Sequence, residues 1–185
     1  MTTWIILGLL VLIALYVIYL YNQLVTKRQM VEEGWSGIDV QLKRRADLIP
    51  NLVETVKGYA AHERGALEEV TEMRARAANV APGDVAGRAQ AEGMLSQALG
   101  RLFAVAEAYP DLKASTNFQD LHASLDGIEN ALQMARRYYN GAVRALNVMV
   151  ESFPSNLIAS QFKFEKREYF EIEDDADRAV PKVSF

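Results

Sequence analysis

Residues 4–25 read WIILGLLVLIALYVIYLYNQLV, and the first charged side chain of the protein, Lys27, comes only after them. As an α-helix these 22 residues extend about 33 Å, enough to cross a hydrocarbon core about 30 Å thick. Trp4 stands at one end, and Tyr19 and Tyr21 stand at the other. Amphipathic rings favour the headgroup region, so this stretch predicts a membrane-spanning helix.

A cleaved signal peptide is the alternative for this segment. It requires a basic start, a shorter apolar core and a small-x-small cleavage site. No Lys or Arg precedes the apolar run, and residues 21–25, Tyr-Asn-Gln-Leu-Val, provide no such site. The chain has no cysteine to acylate, which excludes a lipoprotein. We therefore expect residues 1–26 to form a retained anchor with a short external N-terminus.

The distribution of basic residues predicts the orientation of the anchor. Lys27 and Arg28 follow it directly, and Lys43, Arg44 and Arg45 come next, whereas no Lys or Arg precedes it. An excess of Lys and Arg belongs on the cytoplasmic side of a membrane. We predict an external N-terminus and a cytoplasmic C-terminal domain.

The composition of the remaining chain limits its function. It carries all 20 Lys and Arg and all 24 Asp and Glu residues, and therefore the full net charge of −4. Non-specific nucleic-acid binding depends on a basic face, so no nucleic-acid partner is expected. The absence of cysteine rules out disulfides, thiolate catalysis and Cys-ligated metals.

Three segments of the chain repeat apolar residues in alternating steps of three and four, which is typical of helices that pack through one seam. The predicted helices cover residues 27–78, 82–109 and 117–153; the seam of the first runs from Val31 to Tyr59, and its last part is predicted from its richness in Ala, Glu and Arg. The longest seam consists of Phe118, Leu121, Leu125, Ile128, Leu132, Ala135, Tyr139, Ala142, Leu146, Met149 and Phe153. Short loops between such helices favour antiparallel packing. The predicted class is all-α: a transmembrane helix continuous with a long antiparallel helical bundle, a coiled-coil-like arrangement of three long helices.

Prolines divide this bundle. Pro154 should end the third long helix, after which a short helix is predicted over residues 155–161. Pro50 lies inside the first helix, where it removes the hydrogen bond to the carbonyl of Ala46 and predicts a kink. The bundle thus covers residues 27–161, and residues 162–185 form an acidic tail, as a short strand or an extended arm.

The densest polar spot on the first helix is Arg44-Arg45-Ala46-Asp47, followed by Asn51. Arg45 occupies a seam position, where a charge is costly unless it is paired. The candidate partners are Glu107 and Glu129. This group is expected to be an interhelical polar network that fixes the register of the helices, with a partner site beside the kink as the alternative.

Arg136, Arg137 and Asn140 on the third long helix are interpreted in the same way, as residues that set packing and register first and recognise a partner second.

No pattern in the chain predicts catalysis. A di-iron site in a bundle needs Glu-x-x-His pairs, but Tyr59 and Gln119 stand three residues before His62 and His122. Gly-rich phosphate loops, nucleophile elbows and zinc spacings are also missing from the sequence. No enzyme activity, metal or cofactor is therefore expected.

Several blocks of this sequence resemble the LemA family. They include WSGIDVQLKRRADLIPNLV at 35–53, AEAYPDLKA at 106–114, ARRYYN at 135–140 and FPSN at 153–156. The resemblance implies a bacterial inner-membrane protein with an N-terminal anchor and an all-α soluble region. It implies no reaction, because the family has no established one, although one branch is associated with building magnetosome membranes.

Two functions fit these expectations. The first is a membrane-anchored scaffold that forms a homo-oligomer through its long helices, organises the membrane and recruits partner proteins. The second is a monomeric adaptor or sensor whose bundle switches at Pro50.

Overall fold

The computed structural model describes residues 1–171, and helices form most of this part of the chain. Their bounds are α1 (Thr2–Tyr59), α2 (Arg64–Ala78), α3 (Val85–Ala106), α4 (Pro110–Lys113), α5 (Thr116–Glu151) and α6 (Ser155–Gln161). No strand occurs within residues 1–171. The predicted all-α class, with a long apolar N-terminal helix, is confirmed.

Helix α1 is shorter than the predicted helix that runs to residue 78. It continues through Pro50 but ends at Tyr59, and a turn follows in which the Glu63 amide donates to the Ala60 carbonyl at 3.0 Å. The turn reverses the chain, so that α2 packs its apolar side against α1. Leu67 and Val70 are buried in one core with Val56. Two packed helices, α1 and α2, therefore replace the single helix predicted over residues 27–78.

Helix α3 begins and ends inside its predicted limits of 82 and 109. Gly83 adopts a φ of 86°, and the Asp84 carboxylate accepts from the Gly87 amide at 2.8 Å, which caps the helix at Val85. The segment between the predicted helices at 82–109 and 117–153 contains α4, which begins with Pro110 at a position that needs no amide donor.

Helix α5 ends earlier than its seam predicted. The last helical residue is Glu151, and Phe153 is exposed instead of completing the seam. Helix α6 covers the predicted residues 155–161. After it comes a turn at Phe162 and Lys163, and residues 164–171 form neither helix nor strand, with Phe164 and Phe170 buried. The rest of the predicted acidic tail, residues 172–185, lies outside the described residues.

The chain divides into two compact units. Unit 1 consists of Met1–Lys43 and Ile128–Tyr169, and unit 2 contains Arg44–Gly127. Helices α1 and α5 each contribute to both units.

In unit 1 the two long helices are antiparallel and very close. A Cβ built on Gly34 would lie 2.9 Å from the Cα of Tyr139, and one on Gly37 would lie 4.0 Å from the Cβ of Ala135. Residue numbers that increase along α1 therefore lie beside residue numbers that decrease along α5.

In unit 2, α2 runs antiparallel to both α1 and α3, as its polar contacts show. Arg74 of α2 reaches Ala46 of α1, and Arg101 of α3 pairs with Glu69 of α2. The core between these helices and α4 is apolar, and its fully buried large side chains are Ile49, Leu52, Val56, Val70, Leu95, Leu102 and Leu112.

Candidate functional site

The side chains at the start of α1 form an apolar surface that is not covered by other parts of residues 1–171. Almost every side chain from Thr2 to Tyr19 is exposed, whereas Leu20 and Leu24 are buried. Within residues 1–171, α1 is the one helix long and apolar enough to cross a membrane. An unpaired helix that is apolar on all sides requires an apolar solvent, and lipid provides one.

A buried ion pair lies at the centre of unit 2. The Arg45 guanidinium pairs with the Glu92 carboxylate of α3, and both side chains are almost completely buried. Arg45 Nη1 also donates to the Ser96 hydroxyl at 2.9 Å, and its Nη2 donates to the Glu92 carbonyl at 3.3 Å. Charged groups removed from water require such partners, so this pair ties α1 to α3 in one register.

Arg88 extends this polar cluster to α2. Arg88 precedes Glu92 by one helical turn of α3, and its Nη1 lies 3.8 Å from the second carboxylate oxygen of Glu92. The same guanidinium donates to the Ala77 carbonyl at 3.3 Å. Ala77 belongs to the last turn of α2, where carbonyl groups lack helical donors and favour a cation. Glu92 therefore receives two arginines, one from α1 and one from its own helix.

Arg74 accounts for the carbonyl that Pro50 leaves without a donor. Proline at position 50 has no amide hydrogen, so the Ala46 carbonyl cannot receive its usual bond from four residues later. The Arg74 guanidinium of α2 donates to this oxygen at 2.7 Å. The proline thus leaves the Ala46 carbonyl of α1 without a helical donor, and Arg74 of α2 supplies one.

The polar residues near Pro50 that were predicted to form a network differ in burial. Arg45 enters the buried cluster, whereas Arg44, Asp47 and Asn51 are exposed. The Asn51 carbonyl accepts from the Thr55 hydroxyl at 2.8 Å, a bond within α1.

Of the two candidate partners for Arg45, Glu107 is exposed and lines a surface cavity, and Glu129 lies 3.8 Å from Arg136 on α5. The sequence reasoning missed Glu92. The sequence does contain a signal that Glu92 is buried. Glu92 is the first residue of a row on α3 that advances in alternating steps of three and four, and every residue of this row is buried. Its members are Glu92, Leu95, Leu99, Leu102 and Ala106.

Unit 1 contains the other predicted polar residues. Arg136 is largely buried, Asn140 is half-buried and Arg137 is exposed.

Tyr139 is the centre of the packing between α1 and α5. Its ring lies 5.6 Å from that of Trp35, and its hydroxyl donates to the Glu168 carbonyl at 3.0 Å. Burial raises the pKa of Tyr139 above the ordinary 10.0, with a smaller rise from Glu168 and an opposing effect of Arg167. Neighbouring Tyr138 is exposed and donates to the Glu33 carboxylate at 3.0 Å.

A row of residues on α5, separate from its buried seam, is exposed except for the half-buried Ala145. It follows the same steps of four and three, and its members are apolar or small. We call it the α5 stripe: Met134, Tyr138, Gly141, Ala145 and Val148. An apolar row at heptad spacing is the pattern with which one helix packs on another.

A surface cavity of about 600 Å³ lies between α3, α4 and α5 in unit 2. His122 packs edge-on against Phe103, with 4.5 Å between ring centres, and lies 3.3 Å from the Asp126 carboxylate. His62, the other histidine, is exposed in the turn after α1. No group of three metal-binding side chains occurs among residues 1–171.

The chemistry of the buried cluster is structural. Arg45 and Glu92 are enclosed by protein, so neither can reach a substrate in solution. Surfaces that remain available for contact include the apolar start of α1, the α5 stripe and the cavity beside His122.

Comparison with known proteins identifies the family. The family model described as the LemA family matches residues 34–185. The chain belongs to the LemA family. The match includes the Arg45 cluster, the Pro50 segment and the whole of α5.

Two of the curated relatives reported for this LemA-family protein carry magnetosome names, and a third is named for the family itself. Magnetosome protein MamQ 2 of Paramagnetospirillum magneticum is 26% identical over 184 residues, which cover 86% of this chain and 68% of the relative. Magnetosome protein MamQ of Magnetospirillum gryphiswaldense is 24% identical with the same coverage. Protein LemA of Metamycoplasma hominis is 24% identical over 140 residues, which cover 76% of this chain and 64% of the relative.

These names are not those of enzyme families. Together with the apolar start of α1, the magnetosome relatives support a membrane protein.

Proposed function

We propose that this protein is a membrane-anchored scaffold that self-associates through α5, organises the membrane around it and recruits partner proteins without catalysis. The α5 stripe is the observation that carries the proposal. Met134 and Val148 at its ends are both exposed, although large apolar side chains at heptad spacing normally face a partner helix. A second copy of this chain supplies an identical stripe.

The anchor supports the same interpretation. Copies held in one bilayer by α1 diffuse in two dimensions and meet at a raised effective concentration. Helix pairing that would be weak in solution then becomes sufficient for assembly. Gly141 and Ala145 at the centre of the stripe have little or no side chain, so two α5 helices can approach closely there.

The proposed location is the bacterial inner membrane, with the N-terminus outside and the bundle in the cytoplasm. Its support is the position of Lys27 and Arg28 directly after the apolar segment. Because the chain has no cysteine, single cysteines at Thr3 and at exposed Gln97 report the topology directly. In intact spheroplasts an impermeant thiol reagent should label Thr3→Cys and spare Gln97→Cys; the reverse pattern would overturn the orientation.

Native mass spectrometry of the full-length protein in nanodiscs tests self-association. Wild-type protein should be a defined oligomer, and Val148→Glu should convert it to monomer, because a charge in an apolar helix contact is left without water. Gln133→Glu adds the same charge to α5 at an exposed position beside the stripe and should leave the oligomer intact. A monomeric wild type, or equal loss with both variants, contradicts the proposal.

The alternative function is a monomeric adaptor or sensor that switches at Pro50. The observation that favours it is the hydrogen bond from Arg74 to the Ala46 carbonyl, since it links α2 to α1 where the proline interrupts the helical hydrogen bonds. If the proline is the switch, Pro50→Ala should change partner binding while helix content stays constant. Unchanged binding would argue against this alternative.

A further inference from the structure

The exposure of α1 changes sharply at Leu20. Residues 2–19 have lipid-compatible, exposed side chains and extend about 27 Å as a helix, close to the thickness of a hydrocarbon core. Leu20 and Leu24 are buried by protein. Whatever covers α1 from Leu20 onward therefore lies at the boundary between acyl chains and headgroups.

The register of unit 1 places the end of α5 at this same level. Gly34 of α1 lies against Tyr139 of α5, and the two helices are antiparallel. Asn22 precedes Gly34 by 12 residues, and Glu151, the last residue of α5, follows Tyr139 by 12 residues. Both intervals correspond to about 18 Å of helix, so α5 ends at the level of Asn22, two residues from Leu20.

The chain around this point exposes three large apolar side chains. Phe153 is 80% exposed, Leu157 is 59% exposed and Phe162 is 52% exposed. We call these three residues the α5–α6 corner. The Phe162 ring also lies 4.8 Å from the ring of Tyr21, the residue next to Leu20, so the corner is in direct contact with the end of the lipid-facing segment.

Basic groups accompany the corner. Arg28 lies over the ring of Phe164, 5.2 Å from its centre, and Lys163 is exposed next to Phe162. Apolar side chains flanked by cations are the composition with which peripheral segments enter the interface of a membrane that contains anionic lipid.

We propose that the α5–α6 corner is a second membrane-contact site, which inserts Phe153, Leu157 and Phe162 into the boundary between headgroups and acyl chains. The occupant is lipid because the corner is continuous with the lipid-facing part of α1 and lies at its level. A single spanning helix can rotate freely about its own axis in the bilayer. The second contact fixes this rotation for the α1–α5 pair. It rests on the membrane anchor and is independent of self-association.

Single-cysteine probes in the full-length protein test this site, since no native cysteine interferes. Leu157→Cys and Phe162→Cys are labelled with the fluorophore NBD, and the protein is placed at high dilution in phosphatidylcholine–phosphatidylglycerol vesicles. Quenching by lipids brominated near the headgroup end of the acyl chain is then measured. Tyr16→Cys is the positive control within the anchor, and equal helix content by circular dichroism confirms that each variant is folded.

Val40→Cys is the matched negative control. Val40 is also apolar, is 48% exposed and belongs to α1 of the same unit. It lies 20 residues beyond Leu20, about 30 Å further along the helix and away from the lipid-facing segment.

We expect probes at Leu157 and Phe162 to be quenched severalfold more than the probe at Val40 and nearly as much as the probe at Tyr16. Quenching no greater than at Val40 overturns the proposal. Self-quenching that disappears when unlabelled protein is added shows that a second copy covers the corner, which also overturns it. An unquenched Tyr16 probe shows that the anchor itself is outside the lipid, and it removes the basis of the proposal without bearing on the α5 stripe.

Discussion

Units 1 and 2 hold their helices together by different means. Unit 2 buries a charged cluster, in which Arg45 and Glu92 connect α1 with α3. In unit 1 the central contact is a close steric fit, in which Gly34 lets α1 approach Tyr139 and the ring of Trp35 packs beside it. An exposed hydrogen bond from Tyr138 to Glu33 adds to this contact. The comparison shows that α1 is held in register with α3 by electrostatic pairing and with α5 by steric fit.

The two devices should fail differently. A buried ion pair leaves an uncompensated charge when one partner is removed, whereas a close helix contact fails when a side chain is made larger. Substitutions can therefore test the contacts of each unit separately. The largest changes in stability are expected for the buried ion pair and the smallest for single hydrogen bonds.

The largest effect is expected for Arg45→Ala. The substitution leaves the Glu92 carboxylate buried without its α1 partner, and breaking a buried pair from one side costs about 3–5 kcal/mol. Urea unfolding of the full-length protein in mild detergent, followed by hydrogen exchange of the α3 amides, measures the free energy of unfolding of unit 2.

The matched control for Arg45→Ala is Arg101→Ala. Arg101 pairs with Glu69 at the surface of the same unit, and such exposed pairs contribute about 0–1 kcal/mol. Equal losses for the two variants would mean that burial of the Arg45 pair does not matter.

A smaller effect is expected for Gly34→Ala in unit 1. The added Cβ would lie 2.9 Å from backbone of Tyr139, so α1 and α5 must separate, at a cost of about 1–3 kcal/mol. Gly37→Ala, one turn later, meets its nearest atom at 4.0 Å and should instead stabilise the helix by up to about 1 kcal/mol. Thermal unfolding of both variants measures the difference, and the same sign for both would refute the close-contact explanation.

The bond between Arg74 and the Ala46 carbonyl can be examined with a double-mutant cycle. Arg74→Ala should cost about 1–2 kcal/mol, because the carbonyl beside Pro50 then lacks a donor. In a Pro50→Ala background the helix supplies that donor itself, and the loss caused by Arg74→Ala should be smaller. Equal losses in both backgrounds would show that Arg74 acts independently of the proline.

Tyr139→Phe should have the smallest effect, about 1 kcal/mol, because it removes one hydrogen bond to the Glu168 carbonyl. Burial raises the pKa of Tyr139 above 10.0 in the folded protein. The stability due to this residue is therefore complete below pH 10.0 and is lost as pH rises through the raised value. Stability curves of wild type and Tyr139→Phe should converge at alkaline pH; parallel curves would exclude Tyr139 as the titrating group.

The sequence by itself determined much of this fold, because local patterns carry the information. An uncharged run of 26 residues specifies a lipid-facing helix. Alternating three- and four-residue steps specify which side of a helix is buried, and α5 buries Leu125, Leu132 and Leu146 of its seam as expected. The identity of residue 50 alone shows that the Ala46 carbonyl lacks a donor.

Only the tertiary structure decided which residues meet. A seam identifies Arg45 as a buried charge, but it does not fix the axial position of α3, and that position selects Glu92 and Ser96 as partners. In the same way, the turn after Tyr59 places Arg74 beside the Ala46 carbonyl. Heptad periodicity specifies a face of a helix, whereas a contact between side chains also depends on how far each helix extends and where the chain reverses. That information belongs to the packed chain as a whole.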